Sequence, residues 1–331
     1  MVSKIFSCCT LICTPISSPT KISVIIAVVM CMKDILKNCN LCPRNCFVDR
    51  SLTTGVCGMK DKLVIARASL HMWEEPCISG DTGSGTIFFT GCNLKCIFCQ
   101  NHEISTTLIG KEVTTEEFAK ICLNLQKQGA NNINLVTPTH FVPLIIEGIK
   151  LAKEKGLTLP IVYNTSSYEN VETIKMLDGI VDIYLPDLKY YDDTYAIKYS
   201  HAPNYFNIAT TAIKEMVKQV GLHTFQENGI MKKGVIVRHL MMPGLKEDTK
   251  NILEYLYNNY HDDIYISIMN QYTPVKHFTK YQELNQKILD DDYDEVINYA
   301  LDLGIKKAFI QEGNTASESF IPDFSNQKLP I

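Results

Sequence analysis

No block of like charges interrupts the 331 residues, and the net charge is only −4. Nucleic-acid backbones are met by basic patches or stripes, so such a partner is not expected. Nor is there an apolar run that would cross a bilayer. Val24–Met30 falls far short of the roughly 20 residues a spanning helix needs, and no convincing small-residue cleavage site follows it. No glycine-rich loop follows a strand and opens a helix. Gly80, Gly83 and Gly85 precede a strand instead, and read as turn glycines. These absences argue against membrane attachment and a dinucleotide site, and the expected location is the cytoplasm.

Cysteine is what the chain has in excess. Twelve of its thirteen cysteines precede residue 100, and Cys122 stands alone afterwards. Disulfide frameworks belong to small secreted domains, whereas short cysteine spacings in a large chain read as metal sites. With 46% hydrophobic and 21% charged residues, the composition suits a globular protein with a sizeable core. Residues 1–31 differ from the rest and read as a non-domain extension, with Met32 opening the protein proper. A Cys-rich module over 32–80 and an α/β unit over 81–331 are expected to follow.

From residue 86 onward, apolar runs alternate with amphipathic stretches. Strands are predicted at Thr86–Thr90, Asn132–Thr137, Pro160–Asn164, Ile180–Leu185, Gly234–Leu240, Asp263–Met269 and Lys307–Gln311. Helices are predicted at Thr115–Gln128, Phe141–Lys155, Glu169–Leu177, Asn204–Val220, Lys246–Tyr260 and Tyr293–Leu303. Thr114 and Glu117 have capping-box spacing. Repeated strand–helix units imply parallel strands, in either an open doubly wound sheet or a partial barrel. Polar residues fall where the strands end: Cys92, Thr137–His140, Asn164 with Thr165, Asp187 with Lys189, Arg238 with His239, and Asn270 with Gln271. In barrels that is the face where chemistry collects.

The strongest signal is Gly91-Cys92-Asn93-Leu94-Lys95-Cys96-Ile97-Phe98-Cys99, a C-x3-C-x2-C run straight after a buried strand. Three thiolates on one loop grip three corners of a [4Fe–4S] cube and leave one iron open to another ligand, such as S-adenosylmethionine (SAM). The competing reading is a Cys3His zinc site completed by His102. Cys39, Cys42, Cys46 and Cys57 form a second set, C-x2-C-x3-C-x10-C, suited to zinc or a second iron–sulfur cluster, with Cys77 as a substitute fourth ligand. Glu74 and Glu75, beside Trp73, read as a solvated loop or rim patch with no acid–base role.

The triplet, with Phe98 before its last cysteine, resembles the radical SAM superfamily. Further blocks resemble its branch of pyruvate formate-lyase activating enzymes. They include Leu41-Cys42-Pro43-Arg44, Leu70 to Pro76, Gly85 to Phe89, Val136 to His140, Tyr163 to Ser166, Tyr184 to Tyr190 and Ser319 to Phe324. The resemblance runs from about residue 32 to the C-terminus. It implies a partial (β/α)6 barrel of the TIM type, with a [4Fe–4S] cluster on Cys92, Cys96 and Cys99 and SAM across the open top. It also implies a 5′-deoxyadenosyl radical that abstracts hydrogen, an electron donor such as flavodoxin or ferredoxin, and a protein substrate carrying a glycyl-radical site. A small metabolite or RNA is the alternative target, and a non-catalytic zinc-stabilised binding protein is the alternative class. Asp187 and Lys189 match the family's Asp-x-Lys pair beside SAM, and also read as a barrel-rim ion pair. Thr137, Thr139 and His140 stand where the family has a glycine-rich acidic motif, and Asn164 with Thr165 where it has an acidic residue and Thr. All seven are expected SAM contacts. Asn270-Gln271-Tyr272 replaces the family's late-strand histidine.

Overall fold

The structure, a computed structural model, describes residues 34–311, 324 and 329–331. The extension expected at 1–31 lies outside the described residues. Ten strands form one sheet: β1 (Leu63–His71), β2 (Ser84–Phe89), β3 (Lys111–Val113), β4 (Ile133–Val136), β5 (Ile161–Thr165), β6 (Ile183–Pro186), β7 (Thr224–Phe225), β8 (Met231–Leu240), β9 (Tyr265–Met269) and β10 (Ala308–Ile310). Strands β2, β4, β5, β6, β8, β9 and β10 lie side by side in chain order, each parallel to the next. A doubly wound sheet reverses its strand order partway. No reversal occurs here, so the wall curls in one sense as a partial α/β barrel. β1 and β3 extend the β2 edge in antiparallel fashion, and β7 pairs antiparallel with β8. Because β1 precedes residue 80, the Cys-rich region and the barrel share this sheet.

Wall strands β2, β4, β5 and β6 are buried on both faces, as parallel strands under helices must be. Outward-facing Ile87, Phe89, Leu135, Tyr163, Tyr184, Val237 and Ile268 join the main core beneath the helices. Inward-facing Val162, Ile183, Leu185 and Ile236 meet Cys77, Ile78 and Met231 to form an apolar floor. Cys77 and Ile78 come from α1 (Pro76–Ser79), held below the barrel by Asn132 Nδ2 on the Ile78 carbonyl at 2.8 Å. At the other end, Phe88 and Val136 pack with Phe324. The short α2 (His102–Ser105) follows the cysteine triplet.

Helix α3 (Thr115–Lys127) starts as its spacing predicts. Glu117 N donates to Thr114 Oγ1 at 3.1 Å, and Thr114 N donates to Glu117 Oε2 at 2.8 Å. It packs on α4 (Val142–Glu154) at Gly148, where a Cβ would stand 2.3 Å from the Phe118 ring. The helix expected at Glu169–Leu177 is regular only over α5 (Val171–Lys175). Helix α6 (Asp193–Ser200) was not legible in the pattern, whereas α7 (Tyr205–Val220), α8 (Lys246–Tyr260) and α9 (Asp290–Asp302) lie where expected. Among the described residues, no helix is long and apolar enough to cross a membrane.

Candidate active site at the open end of the barrel

The chain leaves β2 through Gly91 at φ +89°, where a Cβ would meet Met59 Cγ at 2.6 Å and the Cys57 carbonyl at 2.7 Å. Only glycine passes so close to that segment. The loop then presents three sulfurs, each accepting a hydrogen bond. Cys92 Sγ accepts from Leu94 N at 3.4 Å, Cys96 Sγ from Ser200 Oγ at 2.9 Å, and Cys99 Sγ from Ser105 Oγ at 3.5 Å. Burial pushes the Cys96 thiol up to about 12; Lys189 opposes this, and Cys99 and Cys92 add to it. Burial and Cys92 likewise raise Cys99. A positive metal centre reverses that cost by taking thiolates as ligands. Three half-buried cysteines within electrostatic reach of one another, each sulfur facing a donor, fit an iron–sulfur cube whose corners keep its ligands apart. Among the described residues, no three His, Cys, Asp or Glu side chains converge as a single ion requires, so no Cys3His set is gathered around His102.

Beside this loop a chain of ion pairs descends into the barrel. Lys189 Nζ donates to Asp187 Oδ2 at 2.6 Å, and Arg238 Nε to Asp187 Oδ1 at 3.1 Å. Arg238 Nη1 continues to Glu74 Oε2 at 2.9 Å, and Asn134 Nδ2 donates to Glu74 Oε1 at 2.9 Å. The Lys189, Asp187 and Arg238 side chains keep 15–18% exposure at the rim, whereas Glu74 keeps 7% below them. Burial alone would raise the Asp187 carboxyl, but Lys189 and Arg238 together hold it below its usual value. Lys189 is raised in turn, its burial outweighed by Asp187 and Cys96. Asp187 and Lys189 therefore meet beside Cys96.

Glu74 and Glu75 correct the expectation of a solvated patch. β1 ends with His71 opposite Ser84, at the floor end, so the next segment turns beneath the barrel and sends both carboxylates upward. Trp73 stays outside, 62% exposed, but Glu75 is only 8% exposed. Burial raises the Glu75 carboxyl, and Arg238 opposes that. Glu75 Oε2 and Asn134 Oδ1 are buried without hydrogen-bond partners. The inward Arg238 of β8, which needed anions somewhere, was the available sequence signal.

The other expected contacts have partners of their own within the protein. Thr165 and Thr139 donate to one oxygen of Glu169, at 2.5 and 2.6 Å, and Tyr163 OH reaches the same oxygen at 3.2 Å. Burial pushes Glu169 up to about 7 against those three hydroxyls. His140 Nε2 pairs with the Thr90 carbonyl at 2.8 Å; burial, then Arg50, lowers the ring to about 3. Thr137 takes a left-handed φ of +58° as the chain leaves β4, and its N donates to the Asn164 carbonyl at 3.0 Å. Asn164 itself is buried near the end of β5. His239 is an interior hydrogen-bonding residue, its ring between the Leu188 carbonyl at 2.7 Å and Thr249 Oγ1 at 3.0 Å.

Behind the cysteine loop sits the Cys-rich segment. Cys39, Cys42 and Cys57 are buried and Cys46 is half-buried. Cys46 Sγ and Cys57 Sγ lie 3.5 and 3.6 Å from where a Gly55 Cβ would be. Burial raises Cys57, with Cys39 and Cys46 adding to it, and pushes Cys42 up to about 12. Cys77 is not with them, since it packs into the floor. Arg44 grips the loop from behind, Nε on the Asn93 carbonyl at 2.7 Å and Nη2 on the Leu94 carbonyl at 3.0 Å, its guanidinium 5.2 Å from the Tyr168 ring. A cavity of about 650 Å³ lies under the floor, at the end of the barrel away from the thiols.

Residues 86–256 match the family model described as the Radical SAM superfamily. An uncharacterized protein of Methanocaldococcus jannaschii is 31% identical over 278 residues, 81% of this chain and 75% of that protein. The pyruvate formate-lyase-activating enzyme of Clostridium pasteurianum is 32% identical over 112 residues, 32% of this chain and 46% of that enzyme. Among solved structures, SuiB of Streptococcus suis bound to S-adenosylmethionine is 15% identical with a TM-score of 0.45, over 67% of this chain and 48% of that one.

Proposed function

This chain belongs to the radical SAM superfamily, and from that premise we propose that it is a cytoplasmic enzyme that abstracts hydrogen from a substrate at the open end of its barrel. Cys92, Cys96 and Cys99 would hold the [4Fe–4S] cluster. When bound, cluster and SAM supply one-electron cleavage of a carbon–sulfur bond, yielding methionine and a 5′-deoxyadenosyl fragment able to take a hydrogen atom. The observation that carries this reading is the triplet itself, three donor-facing thiols beside a cation–carboxylate pair.

The chain's own residues do the holding. Lys189 offers a positive charge next to Cys96, suited to the carboxylate of SAM, and Asp187 fixes its direction. Arg238 and Glu74 fix Asp187 in turn. Ser200 and Ser105 hydrogen-bond two of the ligand sulfurs. Such bonds tune a cluster's potential. A protein substrate is supported by the likeness to the Clostridium pasteurianum activating enzyme. A small molecule, the second reading, is supported by the polar interior below the rim. The electron would come from a flavodoxin- or ferredoxin-like donor. Cys39, Cys42, Cys46 and Cys57 lie within electrostatic reach of one another behind the loop, which supports a second iron–sulfur centre; among the described residues they do not converge as a single zinc ion requires.

Anaerobically purified protein is expected to be brown and to form 5′-deoxyadenosine from SAM with dithionite. Cys96→Ala should abolish that product. Undiminished product in the variant would reject the cluster assignment.

A further inference from the structure

We propose that the barrel interior receives the cationic, N–H-rich end of the substrate, an ammonium or guanidinium, against Glu75 and Asn134. The inference rests on the radical SAM reading and adds a substrate class to it. Barrel interiors are ordinarily packed with branched apolar side chains. The floor of this one is, through Val162, Ile183, Leu185 and Ile236. Beside those residues the packing turns polar, with Thr86 and Asn134 side by side in register with Val162, and Ser267 facing Glu75. A polar layer in such a place weakens the fold and is retained for use.

Two acceptors there have no donor. Asn134 is fully buried and Glu75 is 92% buried, yet Asn134 Oδ1 and Glu75 Oε2 lack hydrogen-bond partners. Both residues adjoin Glu74 and Arg238: Asn134 Nδ2 donates to Glu74 Oε1, and Glu75 is within electrostatic reach of Arg238 and Glu74. The charges there favour a cation. Once Glu75, which burial raises, gives up its proton, three carboxylates, Glu74, Glu75 and Asp187, face two bases, Arg238 and Lys189. An anion would find the Arg238 fork already committed to Glu74 and Asp187. A positive group with several N–H donors would equalise the charge and satisfy both orphaned oxygens at once. The ion-pair chain runs from the rim inward, so entry is from the side where the thiols stand.

The same chemistry is carried by a free amine and by a lysine or arginine side chain of another protein. The test titrates full-length, anaerobically reconstituted protein, with SAM present, by calorimetry. One arm uses agmatine, one uses its neutral N–H-bearing analogue butylurea, and one uses an uncharged-flank peptide with a single arginine. Agmatine, the peptide or both should bind at least tenfold more tightly than butylurea, and the arm that binds identifies the source. Glu75→Gln should lower cation affinity at least tenfold and bring agmatine level with butylurea. Should that variant fail to fold, the comparison on the native protein decides. If neither agmatine nor the peptide binds more tightly than butylurea, the inference is overturned. Formation of 5′-deoxyadenosine without added ligand is scored separately. If product forms and no cation binds, only the substrate class falls; if none forms, the radical reading falls.

Discussion

At the scale of single residues, Lys189 is the informative position. Its ammonium is buried, paired with Asp187 at 2.6 Å and within electrostatic reach of Cys96. Lys189→Met keeps the length and removes the charge, so SAM affinity should fall at least tenfold, equivalent to about 1.4 kcal/mol. Equilibrium binding of SAM to the reconstituted variant checks this, and unchanged affinity would assign the lysine to rim structure alone. Its pairing with Asp187 was legible in the sequence as a strand-end ion pair, whereas its place beside SAM came from the family resemblance. Glu75 was not legible. A carboxylate's surroundings in a barrel are made by strands distant in the chain, and nothing near residue 75 announces Arg238, Asn134 or Ser267. Thr139 and Thr165 show the same limit, since both serve Glu169, whose acceptor role no spacing pattern displays.

At the scale of elements, an apolar stripe was enough to reveal a helix: α4, α7, α8 and α9 were read without a side-chain cap, and α3 has one as well. Helix α3 has its cap, its apolar stripe and its end in sequence order. Thr114→Ala removes one half of the reciprocal cap and should cost about 1 kcal/mol, read as a lowered thermal midpoint. No change would mean that packing on α4 alone sets the helix start. Wall strands β2, β4, β5 and β6 were legible because burial on both faces leaves a continuous apolar run. β1 was missed for the converse reason: it is half-covered, carries Arg67 and pairs antiparallel at the edge. Helix α5 is shorter than its pattern because Glu169, expected to begin it, is drawn inward to Thr139, Thr165 and Tyr163.

At the scale of the whole molecule, buried ionisable groups link stability to acidity. Burial lowers His239 to about 4, so the folded protein keeps it neutral while the unfolded chain protonates near 6.5. Its contribution is therefore complete above pH 6.5 and is lost as pH falls toward 4, by about 1.4 kcal/mol per unit. Glu169, raised by burial, runs in the opposite direction. The comparison to make is hence between the native protein and His239→Gln. The stability gap in denaturant should narrow as pH drops from 6.5 to 4.5, and a constant gap would refute the interior, neutral histidine. The wall order β2, β4, β5, β6, β8, β9, β10 has one more consequence. Each strand's hydrogen-bonding neighbour has already been synthesised when it emerges from the ribosome, so assembly can run vectorially from the Cys-rich end, and the three-thiol loop is the first turn off the wall that iron delivery would meet.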